Sequence, residues 1–251
     1  MDHNQLYHAI FRRKSVRRYN PSPLDEKDLM EIENLLGKLE PLYPEIKTKF
    51  KVVSTEMIKT RMMKKAPHYL LAFSEKKEGY LENVGFMLQQ MDLYLSQWGF
   101  GTCWQGIPKP RKEVLESSFL NYVILLTMGK PQEALHRDIT EFKRKNIEGI
   151  TDLSDGLGLL EPVRLAPSST NSQPWYFTGD NRLIHAYCRK SNALKAILVK
   201  KFNQIDLGIA LYHLKLAADH QGKSVEFTVN NEAENNPPDG YYYVMSVKVN
   251  S

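Results

Sequence analysis

Between residues 79 and 101 the apolar side chains fall at Leu81, Val84, Leu88, Met91, Leu95 and Trp98, alternately three and four positions apart. That spacing draws one stripe down a helix of about twenty residues, and Gly99 and Gly101 supply the backbone freedom a helix end needs. A second stretch, residues 205–222, has the same design. Shorter helices are expected over residues 4–12 and 25–38, the latter entered through Ser22-Pro23-Leu24-Asp25. Apolar runs at residues 49–54, 69–74, 122–128, 224–230 and 241–248 predict strands, and residues 231–240 (NEAENNPPDG) have the composition of a loop.

The two long helices align with each other. Asn83-Val84-Gly85 matches Asp206-Leu207-Gly208, and Gly99 matches Gly222, both at an offset of 123 residues. Pro44 and Pro167 share that offset, and Leu39-Glu40-Pro41 recurs as Leu160-Glu161-Pro162 at 121. Three anchors in order predict two copies of one α/β design, over residues 1–145 and 146–251, a unit too long for a solenoid repeat.

Composition narrows the class. The 251 residues are 42% hydrophobic and 25% charged, with a mean hydropathy of −0.45, and the longest strongly apolar run, YVILLTM, is too short to span a bilayer. No apolar core followed by a cleavage site opens the sequence, and two cysteines without metal-ligand spacing exclude a disulfide scaffold and a structural zinc site; a cytoplasmic protein is expected. A net charge of +5 suits an anionic ligand but is too small to argue for nucleic acid.

Three motifs carry candidate chemistry. Residues 11–19 (FRRKSVRRY) read either as a solvated basic helix end or as a phosphate grip, in which arginine forks and a serine hydroxyl face phosphate oxygens. Residues 165–175 (LAPSSTNSQPW) form a rigid polar loop able to lay amides and short side chains along a flat heterocycle. Residues 99–106 (GFGTCWQG) follow the long helix; a helix cap explains Gly99 but not Gly106, and three glycines point to close backbone approach.

Together these motifs resemble the FMN-dependent nitroreductase family. Arg13-Lys14-Ser15-Val16-Arg17 fits the family's R-x-S-x-R, residues 166–175 fit A-P-S-S-x-N-x-Q-P-W, and residues 99–106 fit G-L-G-T-x-W-x-G. Met128-Gly129-Lys130-Pro131 and Phe142-Lys143-Arg144-Lys145 resemble the later turn and closing basic motif. The order departs from the family: its P-S-S-x-N motif normally lies between the first and third, where this chain has Pro44-Glu45-Ile46-Lys47-Thr48. Ordinary members are dimers in which the partner supplies that loop, so the resemblance implies a fused, pseudo-dimeric branch. The implied fold is α+β, with two similar halves of mixed sheets flanked by helices.

The resemblance further implies one FMN per chain between the halves. Arg13, Ser15, Arg17, Gln105, Gly106 and Arg144 would come from the first half, and Pro167, Ser168, Ser169 and Asn171 from the second. Arg13, Ser15 and Arg144 would bind phosphate, Arg17 the pyrimidine end, and the Gly106 amide would lie near flavin N5. No other catalytic residue and no metal are implied. Hydride would pass from NAD(P)H through the flavin to a small-molecule acceptor, a nitroaromatic or quinone, without nucleic acid or membrane as partner. A monomer suffices if the chain is its own pseudo-dimer. A flavin-storing or sensing protein of the same fold is the alternative, and a basic nucleic-acid module the third reading.

Overall fold

The structure is a computed structural model and describes residues 2–59, 65–191 and 196–250. In chain order the main elements are α1 (His3–Ile10), α2 (Glu26–Leu36), β1 (Thr48–Ser54), β2 (Ile58–Lys59), β3 (His68–Ser74), α3 (Tyr80–Gln97), β4 (Gly101–Gln105), β5 (Lys109–Pro110), α4 (Lys112–Glu116) and β6 (Asn121–Gly129). They continue with α5 (Leu157–Arg164), β7 (Trp175–Gly179), β8 (Leu183–Arg189), α6 (Ala196–His220), β9 (Ser224–Thr228), α7 (Asn231–Asn235) and β10 (Tyr241–Asn250). Two compact units result, Arg12–Ile139 and Met1–Phe11 with Thr140–Ser251.

The Arg12–Ile139 unit is built on a sheet of order β1-β3-β6-β4, each strand antiparallel to its neighbour. Every residue of β3 is buried, as expected of a strand flanked on both edges. α3 packs on β3 and β4 and is buried along nearly its whole length. Gly99 ends it at φ +93°, and the Phe100 N–H closes the turn onto the Leu95 carbonyl at 2.8 Å. What the glycine-rich sequence suggested was a cap and a loop continues directly as a strand, β4, because β6 offers it a ladder from Gly129 to Leu125.

The other unit carries a sheet of order β7-β8-β10-β9, again antiparallel throughout. Its long helix, α6, packs against β7, β8 and β9, and α5 and α1 lie against it. α1 is tied to the last turn of α6 by polar contacts: His3 Nδ1 to Asp219 Oδ2 at 2.8 Å, His220 Nδ1 to Asn4 Oδ1 at 2.9 Å, and a Tyr7–His220 ring stack at 3.8 Å. Gly222 ends α6 at φ +69°, with the Lys223 N–H on the Ala218 carbonyl at 3.0 Å.

The fold is α+β, as the sequence indicated; the named strands pair antiparallel, and single parallel bridges, Ser15 with Thr102 on β4 and Thr151 with Phe177 on β7, lie at the outer strand of each four-stranded sheet. α6 begins nine residues before the predicted start at residue 205. The segment read as a loop at residues 231–240 opens with one helical turn, because the Asn230 side chain accepts the Ala233 N–H at 2.9 Å. No helix among the described residues is long and apolar enough to cross a membrane.

Candidate functional site

In the Arg12–Ile139 unit the basic motif leaves the helical region and lies along the edge of β4. Ser15 bridges Thr102 in parallel, and the Val16 N–H donates to the Thr102 carbonyl at 2.8 Å. The approach is so close that a Cβ on Gly101 would meet the Val16 side chain at 2.6 Å, so glycine is required there by packing. Tyr19 fixes the far end of the motif, donating its hydroxyl to the Val16 carbonyl and meeting Thr127 Oγ1 at 2.7 Å; burial raises its pKa beyond the ordinary phenol value.

This packing lays three predicted residues on the segment beside β4 and leaves two more at the end of that strand. Arg13 is 1% exposed; its Nε stands 3.1 Å from Asp92 Oδ2 and its Nη2 donates to Ser15 Oγ at 3.3 Å. Asp92, on α3 and wholly buried, also accepts a short hydrogen bond from the Thr102 hydroxyl. Arg17 points outward. Its backbone N–H, like that of Arg18, donates to Glu133 Oε1, while its own Nη1 reaches only the Ser15 carbonyl at 3.5 Å. No carboxylate among the described residues pairs with the Arg17 guanidinium. Gln105 Nε2 donates to Cys103 Sγ at 3.4 Å, and Gly106 follows, exposed, at the end of β4. Burial pushes the Cys103 thiol pKa up, while Arg17, Arg13 and a hydrogen bond from Ser15 draw it back.

The other five residues lie together in the unit that contains Thr140–Ser251. Pro167 is buried, and the chain then turns through Ser168 and a single 3-10 turn, Ser169–Asn171. Thr170, Asn171 and Gln173 adopt φ of 52°, 59° and 45°, left-handed values costing a non-glycine residue about 1–2 kcal/mol each. Side-chain bonds hold the loop against that strain. Ser168 Oγ accepts the Gln173 N–H at 2.9 Å, Arg144 Nη1 donates to Asn171 Oδ1 at 2.6 Å, and Asn171 Nδ2 donates to the Lys143 carbonyl at 2.6 Å. Lys145 supplies its N–H to Gln173 Oε1 and its ammonium to the Gln173 carbonyl, both at 2.8 Å; burial and the nearby Arg189 charge lower its pKa.

Two buried acids went unread in the sequence as site residues. Asp206, on α6, accepts the Ser169 N–H at 2.9 Å, and burial raises its carboxyl pKa well above the ordinary value against the opposing pull of that bond. Asp206 was visible as the counterpart of Asn83, which signalled a repeated position without revealing what it holds. Asp92 lies next to the apolar stripe of α3, where nothing in the periodicity separates it from a solvent-facing acid.

A family model described as "Putative TM nitroreductase" matches residues 5–218 of the chain. Among solved structures, one from Thermotoga maritima MSB8 described as "a putative nitroreductase" has 22% identity and a TM-score of 0.67 over 99% of this chain and 94% of its own. A nitroreductase family protein from Clostridium novyi NT matches at 21% identity and a TM-score of 0.42, over 55% of this chain and 90% of its own. An FMN-dependent nitroreductase from Clostridium difficile R20291 matches at 16% and 0.43, over 54% and 93%. No curated protein sequence matches.

Proposed function

Since the chain belongs to the nitroreductase family that matches residues 5–218, we propose that it is an FMN-dependent oxidoreductase that uses NAD(P)H to reduce a nitroaromatic, quinone or related acceptor. The observation that carries this reading is the 168–173 loop: three non-glycine residues held in left-handed backbone by Asp206, Arg144 and Lys145. Strain maintained by such bonding is characteristic of ligand-contacting segments.

The donor set fits FMN. The cofactor's phosphate is close to a dianion and suits the half-buried Ser15 hydroxyl, while Arg17, whose guanidinium pairs with no carboxylate among the described residues, suits the pyrimidine end of the ring. In the unit that contains Thr140–Ser251, Arg144 supplies a cation and keeps the Asn171 amide oriented; Pro167, Ser168 and Ser169 offer a short, rigid polar edge with little entropy to lose on binding. The indole Nε1 of Trp104 is buried without a hydrogen-bond partner among the described residues, a donor on β4 next to Gln105 and Gly106. Arg13 differs from the rest of its motif in being buried against Asp92.

Bound FMN supplies the two-electron centre between NAD(P)H and the acceptor. The chain's residues bind and orient it, and a cation such as Arg17 favours a cofactor that gains negative charge on reduction. One FMN per chain follows, because the R-x-S-x-R and P-S-S-x-N motifs each occur once. We further infer that the chain is an internal duplication, supported by the identical sheet orders and by helix residues 123 positions apart that do the same work.

The test is an absorption spectrum with released flavin quantified per chain, followed by steady-state NAD(P)H oxidation. About one FMN per chain and turnover with a nitroaromatic or quinone are expected. Tight flavin without turnover would shift the reading to a storage or sensing protein. A chain that binds none after FMN is added would end it.

A further inference from the structure

The family motif places two arginines around Ser15, and the structure gives them opposite environments. Arg17 is exposed and pairs with no acid among the described residues, whereas Arg13 is 1% exposed and faces Asp92, which is itself wholly buried. Asp92 does more than neutralise Arg13: its other oxygen takes the Thr102 hydroxyl, and Thr102 is the residue that bridges Ser15. Arg13 in turn reaches Ser15 Oγ. A closed circuit therefore joins α3, the basic segment and β4 through Asp92, Arg13, Ser15 and Thr102.

The second copy of the helix sharpens the point. The residue 123 positions after Asp92 is Lys215, which pairs with Asp219 at 2.8 Å along its own helix. Where the chain lacks the arginine–serine motif, it also lacks the acid.

Resting on the flavin reading above, we propose that Arg13 and Asp92 form a buried strut that sets the position of Ser15 and β4, and that Arg13 does not itself touch the cofactor. Arg13 is then a positioning residue that holds Ser15 for the phosphate, and the exposed Arg17 is the cation of the motif left to face the pyrimidine end of the flavin. Removing one member of a buried ion pair strands the other charge, while removing both charges does not. That asymmetry separates a strut from a ligand.

The experiment compares Arg13→Gln, Asp92→Asn and the double variant by thermal unfolding and by FMN titration. Asparagine at 92 still accepts the Thr102 hydroxyl, and its amide pairs with a glutamine at 13. Each single variant should lower Tm by about 5 °C or more and weaken FMN by about tenfold. The double variant should recover most of the Tm and bind FMN within about threefold of the wild type. Arg17→Ala, with the strut intact, should lose about tenfold in FMN affinity at unchanged Tm. A double variant that regains Tm but not FMN affinity would overturn the proposal, because Arg13 would then be a ligand. Additive losses of Tm in the double variant would overturn it as well, since the two residues would not be acting as a pair. If wild-type protein binds no FMN, the flavin reading fails, and the Tm cycle still decides whether the strut exists.

Discussion

The two units build the same sheet and diverge in what they ask of its helix. In both, two strands precede a long helix, and the strand order is first, second, fourth, third. In both, a polar residue of the long helix receives backbone N–H groups from the segment ahead of the first strand: Asn83 from Leu42 and Tyr43 at 2.8 and 2.9 Å, Asp206 from Ser169 at 2.9 Å. Seven residues on, Gln90 donates to the Glu40 carbonyl at 2.6 Å and His213 Nδ1 lies 2.8 Å from the Pro162 carbonyl. The difference is chemical. Asn83 is neutral and its amide also donates to Thr48 Oγ1 at 3.1 Å, whereas Asp206 brings an ionisable group into the interior beside the strained loop. The scaffold tolerates either choice, and the acid sits under the loop we assign to the flavin.

The largest expected effect tests whether the likeness is energetic as well as geometric. Leu88 and Leu211 occupy equivalent, fully buried positions, and Leu88→Ala and Leu211→Ala should each cost about 2–5 kcal/mol in urea unfolding. A loss confined to one unit would break the equivalence. Asn83→Ala should come next, at roughly 2–4 kcal/mol, because it strands two backbone donors.

Asp206 sharpens the contrast through pH. Its folded pKa is raised, so the native state holds a proton that the unfolded chain releases near pH 4. Its contribution to stability is therefore complete below that value and is lost as pH rises through the raised value. Asp206→Asn should flatten this fall in stability over that window, as measured by urea midpoints across pH, while substitutions at Asn83 leave the slope unchanged. The smallest effect belongs to the helix ends. Gly99→Ala and Gly222→Ala meet no neighbouring atoms but require positive φ, so each should cost about 1 kcal/mol, and equally.

What could be read in the sequence follows from where burial is periodic. The stripe of α3 is continuous because nearly every turn meets the core, so the helix was visible from end to end. α6 was seen only from residue 205, because Leu198 and Val199 in its early turns are exposed and break the stripe. β4 was hidden for the opposite reason: its glycine answers a tertiary approach by Val16, not a local turn, and local composition does not distinguish the two. The polar loop at residues 165–175 was legible because its residue types are fitted to turns. Its dependence on Asp206 was not, since an acid thirty-seven residues away carries no local signature. The same holds for Asp92, whose partner Arg13 is brought to it only by folding.

The connectivity of the units also bears on how the protein is made. Residues 12–139 form one continuous stretch, so every strand of that sheet is present once β6 has left the ribosome, and the unit is free to form during synthesis. The other unit is assembled from both sides of it. α1 precedes the intervening unit in the chain, yet the helix end it clasps through His3, Asn4 and Tyr7 is translated only after that unit is complete. Its sheet waits longer still, because β10 is the strand that joins β8 to β9 and is made after both. During that interval the apolar faces of α6, β8 and β9 are without their central strand, which makes this unit the natural client of chaperones and the first place where slowed or interrupted translation should produce aggregation.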